Sequence, residues 1–401
     1  MQRRNACDGP RGWPNLLEGY VHGAMIARFC VARKGPVAAL DVLEQQPVRP
    51  RPRLRFASCY SIAVVILLSG CILSAQPAED PQAQYNRGVE YWYGNTVPQD
   101  YVEAANWFRK AAEQGYAAAQ YRLGQMLAIG QGIPQNDTEA ANWYRKAAEQ
   151  GVVRAQHNLG TMYVFGQGVA KDYAEAVKWF RKAADQGFVD SQYNLGVSYR
   201  DGQGVAQDFQ EALAWFGKAA DQGYAAAQFT MGLMYSDGQG VPKDPAQAAA
   251  WFRKSADQIY PPAEFNMGVL YAEGMGVPRD LEQAVDWYRK AAESGLSQAQ
   301  DALRTIALTG SSLAQRVLGM TYENGWGSLK IEPEAVYWYR KAAEQGYPPA
   351  EYDLGRMLAD GRGVLKNEAE AEAWFRLAAE NGIREAQTKL ETPGAPAAPP
   401  K

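Results

Sequence analysis

The 401-residue chain predicts an all-α fold, a solenoid of about eight stacked helical hairpins with one irregular half-repeat inserted. Three observations predict it. Tryptophan recurs every 36 residues at Trp107, Trp143, Trp179, Trp215, Trp251 and Trp287, then at Trp338 and Trp374 after one interval of 51. An alanine stands three residues before each of these tryptophans and a glycine nineteen before, from Ala104 and Gly88 to Ala371 and Gly355. Small and apolar residues within each period fall at i, i+4 and i+8, the spacing of one helix face. Such a period means stacked units, none of which buries its apolar face alone.

The elements follow in chain order, beginning with a segment outside the repeats. Residues 1–47 show no sustained periodicity and are expected to be disordered or untranslated, with translation starting downstream near Val48. Residues 48–71 have the pattern of an export signal. Arg49, Arg51, Arg53 and Arg55 precede an uncharged run from Phe56 to Ala78 centred on Ser61–Leu68. That basic flank and short apolar core fit a secretory signal, and the core is shorter than the ~20 residues a spanning helix needs. It ends in Leu68-Ser69-Gly70-Cys71, which resembles a bacterial lipobox. The resemblance implies that Cys71 is lipidated and becomes the mature N-terminus, with Ile72 rather than aspartate following it. Plain cleavage near Leu73-Ser74-Ala75 and an uncleaved signal anchor stay open. Residues 72–81 are expected to be a linker.

Repeats 1–6 span 82–295. Each opens with a first helix typified by Ala155–Tyr163, followed by a glycine-rich loop such as Gly166-Gln167-Gly168-Val169. The second helix starts at Asp172 with Glu175 three residues on, a capping box that recurs as Asp100/Glu103, Asn136/Glu139, Asp208/Glu211 and Asn367/Glu370. Ile331 breaks it. Glycine closes most second helices, at Gly115, Gly151, Gly187, Gly223, Gly295, Gly346 and Gly382, where a left-handed C′ residue is wanted. The tryptophan and its aromatic neighbour should fill the space between hairpins, and Arg145-Lys146 and its equivalents should face solvent. Residues 296–310 account for the long interval. Ala299–Arg304 matches a first helix, with Arg304 in the glycine slot, so this reads as half a repeat lacking its loop and second helix. Repeats 7–8 and a terminal capping helix, Ile383–Leu390, fill 311–390. Residues 391–401, rich in proline and alanine, should be disordered.

The pattern Ala-Gln-Tyr-x-Leu-Gly-x-x-Tyr (Ala83–Tyr91, with Arg87 in the leucine slot) and Asp-x-x-Glu-Ala-x-x-Trp-Phe-Arg-Lys-Ala-Ala (Asp100–Ala112) resembles the Sel1-like repeat family. The resemblance covers about residues 82–390. It implies a right-handed superhelix with a concave binding surface and an adaptor or scaffold role, in bacteria often at the cell envelope.

Composition agrees with a binding rather than a catalytic protein. Hydrophobic residues at 47% and charged residues at 21% provide a core and exclude wholesale disorder. Cysteine is confined to Cys7, Cys30, Cys59 and Cys71, which excludes a disulfide scaffold, a zinc–cysteine site and a cysteine nucleophile from the repeats. Residues 72–401 carry 31 basic and 40 acidic groups, a net of −9, which argues against nucleic acid. The histidines are His22 and His157, and His157 occupies a slot otherwise held by Tyr121, Tyr193 or Phe229, as a packing substitution would. The Gly-x-Gly loops lack a preceding strand and a third glycine, so no nucleotide or other cofactor is expected. Some relatives bind or hydrolyse β-lactams, but they are cysteine-rich, and this chain has no Ser-x-x-Lys.

Function is therefore expected at positions the repeat leaves variable. Five residues after each first-helix glycine stand Tyr93, Ile129, Phe165, Asp201, Asp237, Glu273, Asn324 and Asp360. The preceding slot holds Trp92, Ala128, Val164 and Arg200. The expected partner-binding residues are Trp92, Tyr93, Ile129 and Phe165, an apolar patch that would anchor a protein or peptide, together with Arg200. The alternative partner is a cell-wall glycan, stacking on the aromatic rings. The expected location is the outer membrane, facing periplasm or surface, or the soluble periplasmic or secreted phase.

Overall fold

The computed structural model describes residues 79–391, and these form eighteen α-helices without a strand among them. Hairpins follow in order: α1 (Pro81–Tyr93) with α2 (Tyr101–Glu113), α3 (Ala117–Ile129) with α4 (Asp137–Glu149), and α5 (Val153–Phe165) with α6 (Tyr173–Asp185). Next come α7 (Val189–Asp201) with α8 (Phe209–Asp221), α9 (Ala225–Asp237) with α10 (Pro245–Ala256), and α11 (Pro261–Glu273) with α12 (Leu281–Glu293). A lone helix, α13 (Ser297–Leu308), precedes the last two hairpins. These are α14 (Ser312–Asn324) with α15 (Glu332–Ala343), and α16 (Pro348–Asp360) with α17 (Glu368–Glu380). The terminal helix α18 (Arg384–Glu391) packs on α17. The leader, the lipobox-like Cys71, most of the 72–81 segment and the tail from 392 lie outside the described residues. Among the described residues no helix is long and apolar enough to cross a membrane.

Contacts run almost entirely between helices consecutive in the chain, closest within a hairpin and next closest from a second helix to the following first helix. That is a solenoid, and its packing follows from the residue types. The first-helix glycine lets the second-helix aromatic ring lie directly on the backbone. A Cβ on Gly196 would stand 2.7 Å from the Phe216 ring, which is fully buried there. The loop glycine serves the next interface. Gly168 has φ +65°, and a Cβ on it would fall 2.1 Å from the carbonyl oxygen of Asp137 in the preceding repeat. These glycines are required by backbone contact between repeats, which accounts for the Gly-x-Gly spacing without any phosphate. Repeat 5 departs from the closing glycine. Ile259 holds that place at φ 58°, a left-handed conformation that a β-branched residue adopts only under strain.

A hydrogen-bonded ladder of glutamines links the repeats through the core. Buried Gln120 donates Nε2 to the Ala112 carbonyl of repeat 1 at 3.2 Å and accepts from Gln150 Nε2 at 2.8 Å. Gln156, Gln192, Gln228 and Gln315 repeat both bonds. In repeats 6 and 8 a glutamate replaces the glutamine, and Glu264 accepts from Ser294 Oγ at 3.0 Å. Burial pushes the Glu264 carboxyl above its usual range.

Two expectations change. The capping boxes are half-boxes. Asp172 Oδ1 accepts from the Ala174 and Glu175 N–H groups, but its own N–H donates to the Tyr163 carbonyl instead of to Glu175. The glutamate at that position is free for other work: Glu139 accepts from Arg109 of the preceding repeat at 2.7 Å and from Trp143 Nε1 at 3.2 Å. The Arg-Lys pairs likewise do more than face water. Lys146 Nζ lies 4.0 Å from the Trp143 ring centroid, and Arg145 donates to the Tyr163 hydroxyl of the next repeat at 3.0 Å.

The half-repeat also behaves differently from its sequence reading. Toward α12, α13 is a first helix, with Leu296 N–H donating to the Ala291 carbonyl as Val152 does to Ala147. Toward α14 it is a second helix. Arg304, assigned to a glycine slot, donates to the Tyr322 hydroxyl eighteen residues on, as Arg145 does to Tyr163. Gln315 donates to the Ala307 carbonyl eight residues back, like every ladder glutamine. A single helix therefore serves as a first helix toward α12 and as a second helix toward α14, which Gln300 in its first turn also reaches through the Thr321 hydroxyl. The terminal helix and the first helix each sit one residue from the expected bounds.

Candidate partner-binding surface

The variable register of the first helices is built by a repeated stop. Each such helix ends against a left-handed glycine, Gly94, Gly130 and Gly166 in repeats 1–3, with φ near +70°. The residue just before it is lifted out of the packed interior. Tyr93, Ile129 and Phe165 occupy that place in three successive repeats and are 41, 53 and 42% exposed. Asp201, Asp237, Glu273, Asn324 and Asp360 hold it afterwards and are likewise exposed.

The structure separates Trp92 and Arg200 from this row. Trp92 is half-buried and stands edge-on to Tyr101 with ring centroids 5.2 Å apart, part of the hydrophobic cluster beneath repeat 1. Arg200 grips its neighbour Asp201 through two bonds, Nε to Oδ1 at 2.6 Å and Nη2 to Oδ2 at 2.9 Å. His157 packs between the rings of Phe180 and Phe188, with Nδ1 2.9 Å from Ser191 Oγ. It is a packing residue. Among the described residues no cluster of three His, Cys, Asp or Glu side chains is arranged for a metal.

One charged cluster escaped the sequence reading. In repeats 7 and 8 buried Glu323 accepts from Arg356 at 2.7 Å, Arg362 at 2.8 Å and the Tyr339 hydroxyl at 2.6 Å. Arg362 also reaches Glu332, and Arg316 donates Nε to buried Asp353 at 2.7 Å. Burial alone would raise the Glu323 carboxyl, but the two guanidiniums and the tyrosine hold it down at about 2. Asp353 moves the other way, because its burial outweighs Arg316. The signal was present: Glu323 fills a slot held elsewhere by Ala128, Val164, Ser236 or Ala272, and Arg356 one held by Val197, Leu233 or Val269.

The Sel1 repeat family model matches eight segments, 81–116, 117–152, 153–188, 189–224, 225–260, 261–296, 312–347 and 348–383. The chain belongs to the Sel1 repeat family. The eight Sel1 segments leave out 297–311, the lone helix and its turn. A protective antigen of uropathogenic Escherichia coli with an SLR fold is similar at 39% identity and TM-score 0.53, over 78% of this chain and 64% of that one. The chain thus spans under two thirds of that relative's length. A Sel1 repeat protein from Oxalobacter formigenes is similar at 32% identity and TM-score 0.50, over 78% of this chain and 87% of that one. No curated protein matches the chain. Sel1 repeat proteins are typically non-catalytic scaffolds whose repeats mediate protein–protein interaction.

Proposed function

We propose that this Sel1 repeat protein is an exported scaffold of a bacterial cell envelope that holds a partner protein or peptide on the face carrying the ends of its first helices. The observation that carries this is the row Tyr93, Ile129 and Phe165, three large exposed apolar side chains at one register of consecutive repeats. Such side chains are typical anchors at interfaces, and a row of them is more than the scattered exposure of ordinary surfaces. The helices that present them are held by the core beneath, so little ordering opposes binding. Trp92, next to Tyr93 in the chain, packs on Tyr101 and Phe108, and Arg200 with Asp201 marks where the surface turns polar. The arginine-flanked apolar run and Leu68–Cys71 support export, with a lipid on Cys71 as anchor. Similarity to a protective antigen of uropathogenic E. coli is in keeping with an envelope position.

The test is cross-linking in the native host followed by mass spectrometry, comparing wild type with an Ile129→Ser, Phe165→Ser double variant of unchanged melting temperature. The wild type should yield a defined partner that the variant loses. Equal cross-linking by both would overturn the surface. Labelling with radioactive palmitate should mark the wild type and not Cys71→Ser. Label retained by the variant, or absent from both, would overturn the anchor.

A further inference from the structure

The junction between repeats 5 and 6 lacks several bonds that join the other repeats, and the losses fall on one seam. Its turn holds Ile259 at φ 58°, where the other full repeats place glycine. The backbone bond that closes those turns, as from the Tyr224 N–H to the Ala219 carbonyl at 3.1 Å, is not made between Tyr260 and Ser255. The ladder is interrupted as well. Gln228 donates Nε2 to the Ala220 carbonyl of the preceding repeat, but Glu264 fills that slot in repeat 6. An ionised carboxylate has no hydrogen to give the corresponding Ala256 carbonyl. A tyrosine bond is also missing. Tyr121 bonds Asn158 of the next repeat, and Tyr193 bonds Thr230 in the same register. Phe229 has no hydroxyl for Asn266, whose Nδ2 is buried without a hydrogen-bond partner among the described residues. What still crosses the seam is chiefly apolar, Phe252 of α10 clustering with Met267 and Leu270 of α11. Repeat 8 also carries a glutamate in the ladder, Glu351, but Arg316 to Asp353 and Arg356 to Glu323 tie its junction.

We propose that this seam is the hinge of the array, loose while Glu264 is ionised and latched when its carboxyl takes a proton. Protonated glutamate has the shape of glutamine and gains a donor, so it supplies the Ala256 carbonyl with the bond that Gln228 gives Ala220. The charged groups that act on Glu264 come from α12. Lys290 and Arg289 favour its ionised form, Glu293 opposes it, and Ser294 Oγ donates to it at 3.0 Å. Burial outweighs the cations and holds the carboxyl above its usual range. The closed seam therefore binds the proton more tightly than an opened one, in which Glu264 meets water. Acid favours closure. Strain adds to the looseness, because a β-branched residue relaxes from the left-handed region once the turn is released. The apolar row lies wholly within repeats 1–3, so the hinge does not depend on that surface.

The measurement is hydrogen–deuterium exchange of the full chain by mass spectrometry, expressed as protection factors corrected for intrinsic rates. Residues 252–270 are compared with residues 216–234, the same register one repeat earlier. Near neutral pH the first segment should be at least about tenfold less protected, because a seam short of bonds opens locally more often. Lowering the pH to 4.5, the ordinary carboxylate value, should narrow that difference. Glu264→Gln makes the latch permanent. It should raise protection of 252–270 by about threefold or more near neutral pH, remove the effect of acid and leave 216–234 unchanged. Ile259→Gly combined with Phe229→Tyr restores the pattern of the other repeats at the turn and at Asn266. That double variant should raise protection at both pH values while keeping the response to acid. Equal protection of the two segments in the wild type would overturn the hinge. A Glu264→Gln protein no better protected than the wild type, or one that still responds to acid, would overturn the latch. None of these outcomes bears on the Ile129 and Phe165 surface, which the cross-linking experiment tests separately.

Discussion

Glycine and glutamate show how single residues set this fold against their own intrinsic preferences. Gly196 sits inside α7, where alanine would ordinarily improve the helix by about 1 kcal/mol. The Phe216 ring leaves no room for that methyl group, and overpacking of this kind costs about 1–3 kcal/mol. Gly196→Ala should therefore lower stability in urea melts despite its better helix propensity. Glu323 argues from charge. Its carboxyl is depressed from 4.5 to about 2, so its contribution is fully present above the ordinary carboxylate range and is lost as pH falls from about 4.5 toward 2. Glu323→Gln should cost about 2–3 kcal/mol near neutral pH, because two guanidiniums lose their buried partner. The gap to wild type should close progressively below pH 4.5. Asp353, shifted upward, tilts the wild-type curve the other way, so the difference between the two proteins is the quantity to plot. A gap independent of pH would contradict the assigned role. The burial of Gly196 was legible from its fixed distance to the tryptophan. The Glu323 cluster showed there only as charges out of pattern at Glu323 and Arg356, because its partners come from residues 33 and 39 positions away and only stacking joins them.

Helix boundaries follow local chemistry, and the sequence showed most of them. Asp100, Asn136, Asp172, Asp208, Asp244, Asp280 and Asn367 all cap second helices through a side-chain oxygen. Ile331 stands at the same place before α15 with no side-chain cap. Its backbone at φ −136° and ψ 85° is close to that of the capping Asn367 at φ −142° and ψ 91°, and it is exposed. Ile331→Asp should stabilise the protein by about 1 kcal/mol, read as a raised urea midpoint with unchanged slope. What local chemistry could not show is the second half of the box. Of the glutamates expected to close it, Glu139 and Glu370 take an arginine of the preceding repeat and Glu175 takes Lys178 of its own helix, while the cap N–H donates to a first-helix carbonyl instead.

At the level of the whole array, the half-repeat is the departure with structural consequences. Deleting residues 296–310 joins Gly295 to Ser311 and restores the interval of 36 between glycines. It also places Arg289 eighteen residues before Tyr322, the spacing Arg304 now serves. The shortened chain should fold with the same helical ellipticity per residue, read by circular dichroism, and a loss of helix per residue would show that α13 cannot be dispensed with.

The sequence by itself determined the helical class, the 36-residue unit, the caps and the position of the interruption. All of these rest on periodicity and local backbone demands, which each repeat states again. Tertiary structure alone decided three things: that Trp92 is tucked against Tyr101, that α13 serves as a first helix toward α12 and a second helix toward α14, and that α12 meets α14 across a cleft. Each depends on which surfaces remain after neighbouring hairpins have packed. Packing is a property of the stack, and no single repeat encodes it.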